Sequence, residues 1–285
     1  MKDLYIEDKK FNWPEGWADF DHKVKIQIAK FSTGLLSFHG AEKLIIYREI
    51  IRIILENAWQ KDYGKFRKWW NGLKISIEQF ESLKADLEWV AEKPTERPFE
   101  HFEHKGVKYY ILPERFENVS CAEWVESIID FMELSSGEAV ENTVMLLISN
   151  FSRPERADLK EFKASESWNG DVREVYNRQK AIERAAVLSD LDPGIVIQLL
   201  WWYESQISQF FEEFSDLFTG GNGSPRYSDG RGYLMLLKNV AKAGYVGNFD
   251  QVCNAPVLNV FGMLLDEKYD SDELNKKLKR NESSY

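Results

Sequence analysis

The sequence predicts a mainly α protein, a helical bundle that carries two small β-hairpins. Three observations predict it. Apolar residues recur at a helical period over residues 41–61 and again over 195–218. Short β-prone runs flank a turn at residues 7–10, and a second pair flanks Lys105-Gly106. Each hairpin runs into a Pro-Glu pair and then a helix, and the two units stand 99 residues apart. FNWPEGWADFD, residues 11–21, aligns with YILPERFENVS, residues 110–120. Pro14-Glu15 matches Pro113-Glu114, Trp17 and Phe20 match Phe116 and Val119, and Asp21 and Ser120 both sit where a helix cap belongs. The chain therefore reads as a duplicated hairpin–helix unit followed by a C-terminal helical extension.

The elements follow in order. Pro14 ends the first hairpin because it cannot donate to a ladder. A helix covers residues 21–31, and Ser32-Thr33-Gly34 reads as a break. Over 41–61, Leu44, Tyr47, Ile51, Ile54, Leu55 and Ala58 make one stripe, widened by Ile46, Ile50 and Ile53, which marks a central helix. A helix over 75–91 has Ser76 and Gln79 spaced as a capping box. Glu92 to Pro98 has two prolines among four charged residues and reads as a linker. These boundaries define residues 1–91 as an N-terminal hairpin–helix unit, 92–98 as a linker, and 99–285 as the second unit with its extension. After the second hairpin a helix starts at Ser120, with Glu123 in capping-box position, and others cover 138–151 and 171–188. Residues 152–170 are polar and loop-rich. Asp192 and Pro193 open an aromatic-rich helix that reaches Phe218. A Gly-rich loop spans 219–232, an amphipathic helix ends at Gly244, and a last helix starts near Pro256.

Composition bounds the function. The net charge of −10 is uneven: residues 1–115 carry twenty Lys/Arg and nineteen Asp/Glu, and residues 116–285 carry seventeen and twenty-eight. The second part repels phosphate backbones, which disfavours general nucleic-acid binding. Lys61, Lys65, Arg67 and Lys68 form a local basic cluster, for which a solvated helix face is the simpler account. Cys121 and Cys253 have no motif around them and read as two free thiols in a reducing compartment. The charged N-terminus has no apolar signal region, and the apolar run over 195–203 is too short to span a bilayer.

Catalytic signatures are missing. His101 and His104 lie in H-F-E-H, which lacks the zincin spacing and a third ligand, so a surface hairpin is preferred to a metal site. The Gly-rich loop, with Arg226 and Arg231, follows no strand and has no phosphate-loop motif. Glu212, Glu213 and Asp216 read as carboxylates on the wet face of a helix. Trp201, Trp202, Tyr203, Phe210, Phe211 and Phe214 are the most informative cluster. Their stripe suits a core, and Trp201, Trp202 and Phe211 lie off it and suit a groove for an apolar partner helix. All six are the candidate partner-binding residues; Trp69-Trp70 poses the same choice.

Three segments carry a resemblance. KGVKYYILPERFENVSCAEWVE resembles a recurring hairpin–Pro–helix opening in tail-region proteins of phages infecting Bacteroidota. AIERAAVLSDLDPGIVIQLLWWYESQISQFFEEF resembles the element that follows there, and GYLMLLKNVAKAGYVGNFDQVCNAPVLNVFGMLLDEK the closing one. The resemblance covers much of residues 105–268 and implies a non-enzymatic protein of tail-assembly-chaperone type, without cofactor. Such a protein shields the apolar helices of a tape-measure protein in the host cytoplasm; a virion component, such as a connector or minor tail protein, is the structural alternative. The enzymatic alternative is a hydrolase with an unidentified carboxylate site. Oligomerisation is left open.

Overall fold

The structure, a computed structural model, describes residues 1–285 except 8, 60–62, 138–141, 219–226, 228 and 283–285. It is mainly α with small β-hairpins: thirteen α-helices and five strands among the described residues. The chain divides into two compact units, residues 1–98 with 191–203 and residues 99–190 with 204–285. The sequence assigns 191–203 to the second unit; that assignment is corrected, because Ile197 and Trp201 pack against the apolar core of the first.

In the first unit, β1 (Lys2–Ile6) and β2 (Lys9–Trp13) form an antiparallel pair with Lys2 opposite Trp13 and Ile6 opposite Lys9. Lys9 and Lys10, predicted in the turn, therefore belong to a strand. The two-residue period buries Phe11 and Trp13 and exposes Lys10 and Asn12. A 3-10 turn at Trp17–Asp19 follows, and Asp21 caps α1 (His22–Ser37) by accepting from the Val24 N–H at 3.0 Å. The predicted break at 32–34 is corrected, since α1 runs through it. The buried Ser32 hydroxyl donates to the Ala29 carbonyl at 2.8 Å. Gly34 lets α2 (Gly40–Trp59) approach, because a Cβ there would stand 2.7 Å from Ile46 Cδ1. Ile50, Ile51, Ile53, Ile54 and Leu55 of α2 are buried as their stripe predicts, but Leu44 is exposed. Gln60 and Lys61, the predicted end of this helix, lie outside the described residues.

Two further helices complete the unit, α3 (Tyr63–Gly72) and α4 (Ile77–Ala85). The Ser76–Gln79 capping box is present in both directions. The predicted helix over 75–91 is shorter than expected: α4 stops at Ala85 and a separate 3-10 turn covers Glu88–Ala91. That turn places Trp89 edge-on to Trp17 at 5.4 Å, and the Trp17 indole donates to the Glu92 carbonyl at 2.9 Å. Residues 92–98 contain no helix or strand.

The second unit repeats the opening. Strands β3 (His101–His104) and β4 (Val107–Ile111) are joined by Lys105-Gly106, both at positive φ, +49° and +77°, as a type I′ hairpin turn requires. Ser120 then caps α5 (Cys121–Ser136), accepting from the Glu123 N–H at 3.2 Å. The intervening joint differs from the first copy: Arg115, Phe116 and Asn118 all sit near φ +55°. Such backbone is unfavourable for L-residues. Burial of Phe116, and donation from the Arg115 N–H to Gln206 Oε1 at 2.6 Å, hold it there.

After α5 come α6 (Thr143–Phe151), β5 (Ser152–Pro154), α7 (Leu159–Lys163) and α8 (Arg178–Val187). Residues 138–141 of the predicted α6 lie outside the described residues. β5 corrects the prediction of a loop; it pairs with β4, setting Arg153 opposite Tyr110. The predicted helix over 171–188 starts only at Arg178, because Asn177 is its cap; residues 171–177 are non-helical, with a single bridge at Arg173. Asp192 caps α9 (Pro193–Glu213), accepting from the Gly194 N–H at 2.8 Å. α9 stops short of Phe218, which belongs to the one-turn α10 (Ser215–Phe218). α11 (Arg231–Ala243) ends at left-handed Gly244, and α12 (Phe249–Asn254), not predicted, leads to α13 (Val257–Glu282). The core centres on fully buried Trp124, with the rings of Phe210 at 4.6 Å, Tyr233 at 5.1 Å and Phe261 at 5.1 Å.

Beside this apolar centre lies a buried charge network. Arg173 donates to Glu123 at 2.7 Å, to Asp171 at 2.8 and 2.9 Å, and to the Phe151 carbonyl at 3.1 Å. Arg153 Nη2 stands 3.0 Å from the same Glu123. Two turns along α5, buried Asp130 accepts from Arg178 at 2.7 and 2.9 Å and from Asn150 at 2.6 Å. Burial opposes ionisation of Asp171, but the charge and hydrogen bonds of Arg173, with Arg153 behind it, outweigh burial and hold its carboxyl below the usual aspartate range.

Two predictions follow from this packing. A Cβ on Gly194 would lie 2.1 Å from the Ile26 carbonyl oxygen, whereas one on Gly262 would meet nothing within 4 Å. Gly194→Ala should cost about 1–3 kcal/mol in urea unfolding, and Gly262→Ala should gain about 0.5–1 kcal/mol. Asp171 binds its proton less tightly when folded than when unfolded, so its stabilisation is complete above an unfolded pKa of about 3.9 and is lost as pH falls through the lower folded value. Asp171→Asn should therefore lose about 3 kcal/mol near neutral pH. That deficit should shrink in unfolding titrations below about pH 4; a deficit independent of pH would contradict the assignment.

Candidate functional site

Burial decides the fate of the six aromatics predicted to bind a partner. Trp202 and Tyr203 are fully buried, and Phe210 and Phe214 nearly so. Trp201 is half-buried, edge-on to Trp17 at 6.1 Å in the first unit. Phe211, also half-buried, packs on Phe218 at 5.1 Å and Tyr233 at 6.0 Å in the second. Trp202, Tyr203, Phe210 and Phe214, expected in a groove, are core instead, and Trp201 and Phe211 are half-buried against neighbouring rings. The residues of α9 through Tyr203 belong to the first unit and those from Glu204 to the second.

The remaining candidates sort similarly. Trp70 is buried beside Phe66, and Trp69 packs on Phe11 at 5.4 Å while its indole donates to Glu7 at 3.0 Å. Glu212, Glu213 and Asp216 are exposed; Glu213 pairs with Arg115 and Asp216 accepts from the Tyr269 hydroxyl. His104 Nε2 lies 3.1 Å from both Asp190 and the Val187 carbonyl. Among the described residues no three His, Cys, Asp or Glu side chains converge as a metal would require. Burial pushes the Cys121 thiol up to about 12, so it stays protonated and inert. Residues 219–226 and 228 of the Gly-rich loop, Arg226 among them, lie outside the described residues; Arg231 pairs with Asp229.

An apolar cleft lies in the first unit, on α2, α3 and α4. Leu44, Ile51, Trp70, Leu73, Ile77 and Phe80 line a largely apolar cleft of about 600 Å³. A second, more polar depression adjoins it, lined by Ile45, Tyr63 and Arg67 and sharing Arg48 and Trp70 with the first. Apolar side chains stand uncovered at the rim: Leu44 is 44% exposed, Ile45 62% and Ile77 81%. Contiguous exposure of this kind marks an interaction site more often than scattered single residues do. The cause is local. The α2 stripe turns its C-terminal half inward, whereas Leu44 and Ile45, one and a half turns earlier, lie beyond the core. Ile77 stands just inside the α4 capping box, which fixes where the helix begins.

Charge frames the cleft. Arg48 lies over the Trp70 ring at 5.8 Å. Arg48, Lys74 and Arg67 are exposed and form no ion pair among the described residues, whereas Arg52 is held by Glu49 and Glu56. Lys65 and Lys68 of the predicted basic cluster are exposed on α3 beside Arg67, and Lys61 lies outside the described residues. The sequence held one signal for this surface: Leu44 belongs to the apolar stripe and Ile45 stands beside it, in a helix already apolar over much of its girth. No family model matches the chain, and no curated protein or solved structure is significantly similar to it. No helix among the described residues is long and apolar enough to cross a membrane.

Assigning the aromatics of α9 to the core has a measurable consequence. Trp202→Ala and Phe210→Ala should each destabilise the chain by about 3–5 kcal/mol in chemical unfolding. Wild-type stability in either variant would restore those rings to a surface.

Proposed function

We propose that the chain is a non-enzymatic binding protein that seats the apolar face of a partner helix in the α2–α4 cleft of its first unit. The observation that carries this is an apolar cleft of about 600 Å³ with Leu44 and Ile77 uncovered on its walls. A cleft lined by aliphatic and aromatic side chains at helical spacing suits the i, i+3, i+4, i+7 anchors of an amphipathic helix. Arg48, Lys74 and Arg67 around it favour acidic residues on the flank of that helix.

The resemblance of residues 105–268 to tail-region phage proteins narrows the partner to the helical tape-measure protein and the role to that of a tail-assembly chaperone. Shielding then acts through the first unit rather than through α9. An acidic surface, with a net charge of −10, favours dispersal of such a complex.

The test is co-expression of the full chain with a tape-measure helical segment, followed by co-purification. Leu44→Asp and Ile77→Asp together should reduce capture at least about tenfold, since a carboxylate replaces apolar contact. Thermal stability should stay near wild type, because both positions are exposed. Undiminished capture by the double variant would refute the cleft. Fixed stoichiometry in purified particles would make the protein a virion component rather than a chaperone.

A further inference from the structure

In the second unit, four helices converge on an apolar pocket of about 500 Å³. Met132 comes from α5, Leu217 and Phe218 from α10, Tyr233 and Leu236 from α11, and Leu264 from α13. Gly230, just before α11, belongs to the same wall and sits tight on α5. A Cβ there would stand 3.1 Å from Met132 Sδ and 3.2 Å from Ile129 Cα. Its φ of +81° is one that glycine adopts freely.

Two rings of this wall are fixed by the aromatic core. Tyr233 lies edge-on to Trp124 at 5.1 Å, and Phe218 packs on Phe211 at 5.1 Å and on Phe261 at 6.3 Å. The walls are therefore held by the fold itself, as in most small-molecule sites. Core packing nonetheless leaves the pocket side uncovered: Phe218 is 41% exposed, and Met132, Leu217, Tyr233, Leu236 and Leu264 are only half-buried. The volume falls in the range of small-molecule sites, about 300–1,000 Å³.

The chemistry of the wall sets the class of occupant. Among the described residues no charged side chain lines the pocket, in a chain that is 29% charged. The α2–α4 cleft differs in this respect, with Arg48, Lys74 and Glu81 in its wall. An ionised group entering the second-unit pocket would lose its water and gain no counter-charge, which is costly. Tyr233 supplies a polar handle. Its hydroxyl makes no hydrogen bond among the described residues, and burial raises its pKa, so it stays a neutral donor.

We propose that this pocket binds a small, uncharged, largely apolar molecule that carries a hydrogen-bond acceptor for the Tyr233 hydroxyl. The apolar body of the ligand covers Phe218, Leu236 and Leu264, which the core leaves part-exposed. The site lies wholly within the second unit and does not depend on the partner proposed for the α2–α4 cleft.

Titration of the full chain with the uncharged fluorophore N-phenyl-1-naphthylamine tests this. Emission should rise saturably, and the Leu236 and Leu264 methyl resonances should shift with it. Displacement by 1-decanol should need a concentration at least about tenfold below that of decanoate, because the carboxylate resists desolvation. Leu236→Trp, which fills the pocket, and Phe218→Asp, which places a charge in its wall, should each weaken binding about tenfold or more. Ile182→Asp, on the exposed surface of α8, should leave it unchanged. Thermal unfolding shows whether each variant folds; should neither wall variant fold, the methyl shifts in the wild-type chain decide. No saturable binding, binding without those shifts, displacement by decanoate as readily as by decanol, or wild-type affinity in a folded wall variant would overturn the site.

Discussion

The contact on which the second unit depends is the buried pair between Glu123 and Arg173. Glu123 occupies the third position of α5, where a capping box would turn its side chain back to the backbone of Ser120. Only half of that box forms: Ser120 accepts from Glu123, and the carboxylate goes instead to Arg173 at 2.7 Å. Both side chains are almost wholly buried. A charge so enclosed tolerates no slippage, since breaking a buried pair costs about 3–5 kcal/mol. The surrounding chain is arranged to serve it. Residues 171–177 stay outside α8, Asp171 adds its carboxylate, and β5 brings Arg153 to the other oxygen.

The same hairpin, Pro-led turn and capped helix thus hold two kinds of interior. In the first unit the joint closes on apolar contacts: Trp17 against Trp89, with one indole bond to the Glu92 carbonyl. In the second, Phe116 takes the corresponding buried position while the capped helix turns a carboxylate inward. The second joint also carries three residues at positive φ that the first lacks. An apolar interior is tolerant of small shifts because dispersion is non-directional, whereas a guanidinium–carboxylate pair fixes angles as well as distance. The second unit is the more exacting of the two in geometry.

Much of the local structure was legible in the sequence because it depends on neighbours in the chain. Asp21, Ser76, Ser120 and Asp192 cap the helices they were expected to cap, since capping is settled within four residues. Gly34 was misread for the opposite reason. A glycine inside a helical pattern looks like a break, and only the approach of Ile46 shows that it serves packing. The α9 aromatics were misread as a partner surface because their girth exceeds what one neighbouring helix covers. The α2–α4 cleft was missed because a stripe records which residues are apolar, not how many of them the remaining chain is long enough to cover.

By itself, the sequence determined the mainly α class, the twice-built hairpin–helix opening and the cap positions, all of which follow from periodicity and turn chemistry over a few residues. Tertiary structure alone decided that residues 191–203 belong to the first unit, that Ser152–Pro154 is a strand, and that Glu123, Arg153 and Arg173 meet. Those outcomes join residues tens of positions apart. No local propensity encodes which charge will be buried against which, because the energy of such a pair exists only after the chain has excluded water from both.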